Sequence, residues 1–345
     1  MHSEPPENPT MTRTALLLPY LHHEPDCAEP PVALGGGVAI IGRTRLGRRS
    51  RFGALATIRA DGHDVTVGDD FWMAARATIH IAHAVLPAVV GNDVTVGCNT
   101  TVHACTVGDG CVIEDNCVIL DGAVVGEGCV LAAGSVVFPR ATLPAGHYCE
   151  GSPAKPVREL TPEQLAAARA RVRGLSLAVR VDAPLHPPAH GETNYVAPTA
   201  VLEGAIALGR DASVWFGCEL RAGSHSIAAG AGTNIQDNTV ILANHGPVRI
   251  GEGVTVGHNV LIQSADIGNQ ALIGIGSVLA AGTVVEDDVL LAAGAVTLPG
   301  QRLTGGALWA GRPARRLTAL DDAKRDVIAY GARHYVDYNH DYLGR

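Results

Sequence analysis

Rings are scarce in this chain. Only 4% of its 345 residues are aromatic, although 47% are hydrophobic, so any core must be built from Val, Ile, Leu and Ala. Charge is thin as well, at 17%, with a formal net charge of −8 and no basic stripe, which excludes a nucleic-acid partner. The one dense basic run, Arg43, Arg45, Arg48, Arg49 and Arg51, reads as a solvated turn. Long apolar runs are missing too, which excludes a membrane span. "TALLLPYL" (14–21) is too short for one and lacks the small-residue cleavage site of a signal peptide, so a cytoplasmic protein is expected.

Glycine, at 41 residues, is abundant and implies frequent, regular turns. Of the eight cysteines, Cys105, Cys111, Cys117 and Cys129 are spaced by multiples of six, with Ala123 and Ser135 completing the series. A small residue at every sixth position is a packing column, not a disulfide framework. Cys98 falls outside it.

From residue 105 the chain parses as CTVGDG, CVIEDN, CVILDG, AVVGEG, CVLAAG, SVVFPR, and the second half as VTVGHN, VLIQSA, ALIGIG, SVLAAG, TVVEDD, VLLAAG. Consecutive hexapeptides with an aliphatic or Thr at one phase and turn-formers at another predict a parallel β-helix, one short strand and turn per unit. The chain also repeats itself on a larger scale. "VTVGCNTTVHACTVG" (94–108) returns 160 positions later as "VTVGHNVLIQSADIG" (254–268), and "GSPAKPV" (151–157) as "GRPARRL" (311–317). A helix is predicted after each copy, the first opened by a Thr161-Pro162-Glu163-Gln164 capping box and the second over about 321–342. The expected organisation is a disordered or extended segment over 1–29, a β-helix plus helix over 30–180, a Pro-rich linker over 181–192, and a second β-helix plus helix over 193–345.

The second copy, with "SVWFGCELRAG", "TNIQDN", "VGHNVLIQ" and "LWAGRPAR", resembles the gamma-class carbonic anhydrase family over nearly its whole length. The first copy resembles it more distantly in its N-terminal coils. The resemblance implies two tandem left-handed β-helices, a homo-oligomer (a trimer of two-domain chains being favoured), and zinc or another divalent transition metal held by three histidines, the first and third from one subunit and the second from its neighbour. At the three ligand positions the first copy has His80, Cys98 and His103, and the second has Leu242, His258 and Gln263. The family's Gln-Asp pair is matched by Gln236 and Asp237 but by Ala74 and Ala75 in the first copy. Its arginine is matched by Arg59 and Arg221, the acidic companion by Asp61 only, and a tyrosine near the site by Tyr335.

Two ligand sets follow from that resemblance. Like domains facing one another would assemble His80, Cys98 and His103, a legitimate zinc set whose thiolate leaves the bound water less acidified. Unlike domains would assemble His80, His103 and His258, with Gln236 and Asp237 alongside. The like-with-like set is placed first, because a closed ring of three cannot alternate two kinds of domain. His258 then reads as a packed residue and the second domain as a metal-free scaffold. His83 and His245 are expected at the surface, within reach of a proton-shuttling role, and His63 and His225 at turns before strands. The expected function is hydration or hydrolysis of CO2 or another small carbonyl or thioester substrate. The alternatives are a coenzyme A-dependent acyltransferase, using His103 or His258 as general base, and a non-catalytic assembly scaffold.

Overall fold

Hexapeptides with aliphatics at one phase stack their strands in register, and that is the architecture of the computed structural model, which describes residues 15–176 and 193–345. Two parallel β-helices lie side by side, one per sequence copy, with parallel pairing between successive coils throughout. The fold class is that expected, and the parallel ladders exclude a sandwich of antiparallel sheets. Each solenoid closes on an antiparallel hairpin, His147–Gly151 with Ala154–Glu159 and Ala307–Ala310 with Arg315–Ala319. The segment ahead of the first coils is partly built in: Leu16–Leu18 and Asp26–Cys27 pair with Ala39–Leu46. The expected linker at 181–192 lies outside the described residues.

The six-residue column is interior, as its spacing requires. Cys105, Cys111, Cys117, Ala123, Cys129 and Ser135 are all buried, and every cysteine thiol is free. Helix α1 (Pro162–Ser176) starts at a reciprocal capping box: Thr161 Oγ1 accepts from the Gln164 amide at 3.3 Å, and Gln164 Oε1 accepts from the Thr161 amide at 3.1 Å. Helix α2 (Asp322–Tyr342) is capped by Asp321, whose side chain accepts from the Lys324 amide. His63 and His225, expected at turns, instead lie inside the eleven-residue strands Thr57–Val67 and Glu219–Ala229.

The halves meet along their corners. Asn238 and Asn259 occupy left-handed turn positions of the second solenoid (φ 60° and 56°), a conformation asparagine tolerates well. Their side chains cross to the first solenoid. Asn238 Nδ2 donates to Leu55 O and Thr78 Oγ1 at 3.1 and 3.0 Å, and Asn259 Nδ2 donates to Arg76 O and Asn99 Oδ1 at 2.7 and 2.8 Å. Thr101 Oγ1 donates to Asn259 Oδ1 at 2.8 Å, and Arg76 pairs with Glu219 at 2.6 Å. Six of the chain's fourteen aromatic side chains gather in one cluster, where Tyr20, Tyr195, Trp215, Phe216, Tyr335 and Tyr338 bury against Ile41.

Candidate metal centre

Strand register places the first two histidines. Arg59 pairs with His80, and His80 with His103, so the three occupy one column on successive coils of the first solenoid. In the second solenoid the same column reads Arg221, Leu242 and Gln263. The third histidine comes from a corner. His258 lies in the turn between Thr255–Val256 and Leu261–Gln263, and the cross-seam bonds of its neighbour Asn259 bring that turn onto the first solenoid's face. His80 Nδ1 stands 3.3 Å from His103 Nε2 and 3.2 Å from His258 Nε2, and the three ligand atoms all lie within 4.8 Å of one another.

The opposite nitrogen of each ring faces a carboxylate. His80 Nε2 is 3.1 Å from Asp61 Oδ1, His103 Nδ1 is 2.5 Å from Asp121 Oδ1, and His258 Nδ1 is 3.1 Å from Asp237 Oδ2. At His80 and His103 the hydrogen-bonded carboxylate holds the proton on its own side and leaves the inward nitrogen as a lone pair, while His258 Nδ1 meets Asp237 as a close charge contact. Burial, Arg59 and the neighbouring imidazoles push His80 well below the ordinary histidine value, and burial pushes His258 down to about 4 against the pull of Asp237. These rings are therefore neutral at pH 7, with lone pairs converging. The 3.2 and 3.3 Å separations match the edge of a tetrahedron whose Zn–N bonds are about 2.0–2.1 Å, an edge of roughly 3.3 Å. The donor set fits a divalent ion.

Arg59 organises the carboxylates behind the rings. It is fully buried, pairs with Asp61, donates through Nε to Asp237 at 3.0 Å and through Nη2 to the Tyr335 hydroxyl at 2.6 Å, and lies over the Trp215 ring at 4.3 Å. Burial alone would raise Asp237, but Arg59 and His258 hold it down to about 2. Asp237 also accepts from the Phe216 amide at 3.0 Å. Tyr335 thus meets the site through Arg59. Gln236 lines the cavity over the histidines, its amide oriented by a 3.1 Å bond from Nε2 to Asn234 Oδ1.

Cys98, placed in the favoured ligand set, is not brought to the cluster. It lies in the first solenoid's own corner turn, where its amide donates to Asp115 Oδ1 at 2.7 Å, and burial pushes its thiol up. The physical reason is the seam: the second solenoid's corner docks on the first solenoid's ligand face, so His258 takes the place that a like domain would have given Cys98. His83 is half-buried rather than on the surface, with Nδ1 3.1 Å from the Tyr338 hydroxyl and its ring 4.1 Å from that of His334. Sequence reasoning missed Asp121 and His334. Asp121 was recoverable, since it follows His103 by 18 residues, one coil further along. His334, on α2, carried no such signal.

Comparison with known proteins agrees with this architecture. The family described as "Bacterial transferase hexapeptide (six repeats)" matches residues 104–139, and "Hexapeptide repeat of succinyl-transferase" matches 247–281 and 264–297. Gamma carbonic anhydrase 2, mitochondrial, from Arabidopsis thaliana is 36% identical over 150 residues, 41% of this chain; the match spans only 54% of that relative. Protein YrdA of Escherichia coli K12 is 35% identical over 164 residues, covering 45% of this chain and 89% of the relative. Among solved structures, a hexapeptide transferase family protein from Anaplasma phagocytophilum is 34% identical, covering 43% of this chain and 92% of that one at a TM-score of 0.40. A Desulfovibrio desulfuricans G20 structure matches 91% of this chain and 80% of its own at a TM-score of 0.55 and 13% identity, a likeness of fold.

Proposed function

This chain belongs to the gamma-carbonic-anhydrase-like hexapeptide-repeat family, and we propose that it is a zinc-dependent enzyme adding water to a carbonyl carbon, of CO2 or of another small carbonyl or thioester compound. The observation that carries this reading is the convergence of His80 Nδ1, His103 Nε2 and His258 Nε2, each imidazole backed by its own carboxylate. His80, His103 and His258 would hold a divalent cation through these three nitrogens, and such an ion would supply Lewis-acid activation of water and of the carbonyl group. Three imidazoles suit that task better than a set including Cys98, because a thiolate would donate more charge.

The chain's own residues do the rest. Asp61, Asp121 and Asp237 fix which nitrogen of each ring points inward, and Arg59 balances the buried charge of Asp61 and Asp237. Gln236 lines the cavity with its amide nitrogen engaged by Asn234, which leaves its carbonyl oxygen as the group that would accept a water or substrate proton. In this reading all three ligands come from one chain. A homotrimer of two-domain chains in the cytoplasm remains our expectation, to be read from sedimentation.

Acyl transfer is the second reading, favoured by the transferase hexapeptide matches at 104–139 and 247–297. It asks one imidazole to act as a general base, whereas His103 and His258 face a shared centre. The deciding experiment measures CO2 hydration and p-nitrophenyl ester hydrolysis by zinc-reconstituted protein, with and without chelator. We expect turnover that chelation abolishes and zinc restores. Turnover indifferent to chelator, or acyl transfer from coenzyme A thioesters by metal-stripped protein, would overturn the reading.

A further inference from the structure

The cavity over the three histidines is far larger than a triatomic substrate requires. It encloses about 820 Å3. That falls within the range of roughly 300–1,000 Å3 typical of organic-ligand sites. Its walls are mainly aliphatic and aromatic, with Leu86, Leu272, Ile275, Val327 and Tyr330 prominent among them. Val327 and Tyr330 project from α2 at 53% and 47% exposure, apolar surface that a bound body would cover.

The walls also carry His83, Asp121, Thr255 and Asp326, and three further polar residues bear on what the chamber would hold. Gln236 sits beside the histidines. His334, buried on α2, has an Nδ1 with no hydrogen-bond partner among the described residues, an unmet valence in a cavity wall. Arg140 is exposed and has no carboxylate or carbonyl partner there for its guanidinium. The Arg140 stem and the Leu86 side chain converge on Gly122, 3.3 and 3.9 Å from where a Cβ on that glycine would stand, next to the Asp121 that backs His103. An unpaired cation therefore flanks the His103 side of an apolar chamber.

We propose that this site takes a carbonyl compound carrying both an apolar body and an acidic group, with the carbonyl over the histidines, the body between the Leu272–Ile275 wall and α2, and the acid at Arg140. The placement of the reactive end rests on the metal-site reading above. The preference for an apolar body and an anion does not, and it can be tested separately.

The test uses butane-, hexane- and octanesulfonate, anions that are weak metal ligands, titrated calorimetrically into metal-stripped and zinc-loaded full-length protein. The expected result is one saturable site whose affinity rises two- to fourfold per added methylene in both forms. Arg140→Gln should weaken all three probes about tenfold. Val327→Trp, a change at an exposed position that narrows the chamber, should weaken octanesulfonate about tenfold and leave butanesulfonate unchanged. No saturable binding, affinity independent of chain length, or affinity unmoved by both variants would overturn the proposal. Chain-length dependence in a protein that binds no zinc would sustain the cavity inference while sinking the metal reading.

Discussion

Placed side by side, the two solenoids divide one chemistry between them. In the first, one column reads Arg59, His80, His103; in the second, the same column reads Arg221, Leu242, Gln263, and none of these three joins the cluster. At the corners the pattern reverses. The second solenoid turns His258 toward its neighbour, while the first solenoid's Cys98 is turned elsewhere. The supporting residues split the same way, Asp61 and Asp121 coming from one half and Asp237 and Gln236 from the other. Each half carries site chemistry only on the face that meets its partner. A degenerate copy is thus degenerate only when read alone.

The sharpest break in that comparison is between the two aligned arginines. Arg59→Met leaves Asp61 and Asp237 buried without their cation and should cost about 3–5 kcal/mol in urea denaturation. Arg221→Met loses exposed pairs with Glu203 and Glu219 and should cost less than about 1 kcal/mol. Equal costs would mean that the halves are not specialised as described.

Protonation offers the next contrast, because α2 reaches over the cavity with His334. Burial and the neighbouring His83 lower that ring to about 4; Asp61 and Arg59 also act on it, in opposite directions. A histidine depressed in the folded state contributes fully above the unfolded value, near 6.5, and its contribution is lost as pH falls from there toward 4, because only the unfolded chain takes the proton. His334→Leu should accordingly lose about 2–3 kcal/mol less stability than the parent over that interval, measured by denaturation at several pH values. Parallel curves would place His334 in a solvated setting.

A smaller effect separates two corner asparagines that share a left-handed backbone, so its strain cancels between them. Asn259→Ala removes three hydrogen bonds across the seam and should cost about 2 kcal/mol. Asn116→Ala removes one bond, from Asn99, at an exposed position and should stay within about 0.5 kcal/mol beyond the shared backbone strain.

Much of this was legible in the chain. Hexapeptide phase determines which side chains point inward, so the solenoids and the buried cysteine column follow from local periodicity, whereas His80 and His103, 23 residues apart across a loop, are matched through the family resemblance. The capping box at Thr161 and the extent of α2 are local as well. What stayed hidden depends on packing between solenoids, which no period encodes. Whether Cys98 or His258 completes the cluster is decided by which corner docks on which face, and that rests on dispersed polar contacts such as Asn238 with Thr78 and Asn259 with Asn99. Symmetry argued for like-with-like faces, but a covalent tandem lets unlike faces meet within one chain. His334 joins the cavity only because α2 folds back over the seam.

The central claim is that the metal set is His80, His103 and His258, drawn from both halves of one chain. The most direct test is metal content by elemental analysis of zinc-reconstituted Cys98→Ala and His258→Ala proteins beside the parent. The account predicts about one zinc per chain in the parent and in Cys98→Ala, and a loss of most of it in His258→Ala. Retention in His258→Ala with loss in Cys98→Ala would contradict it.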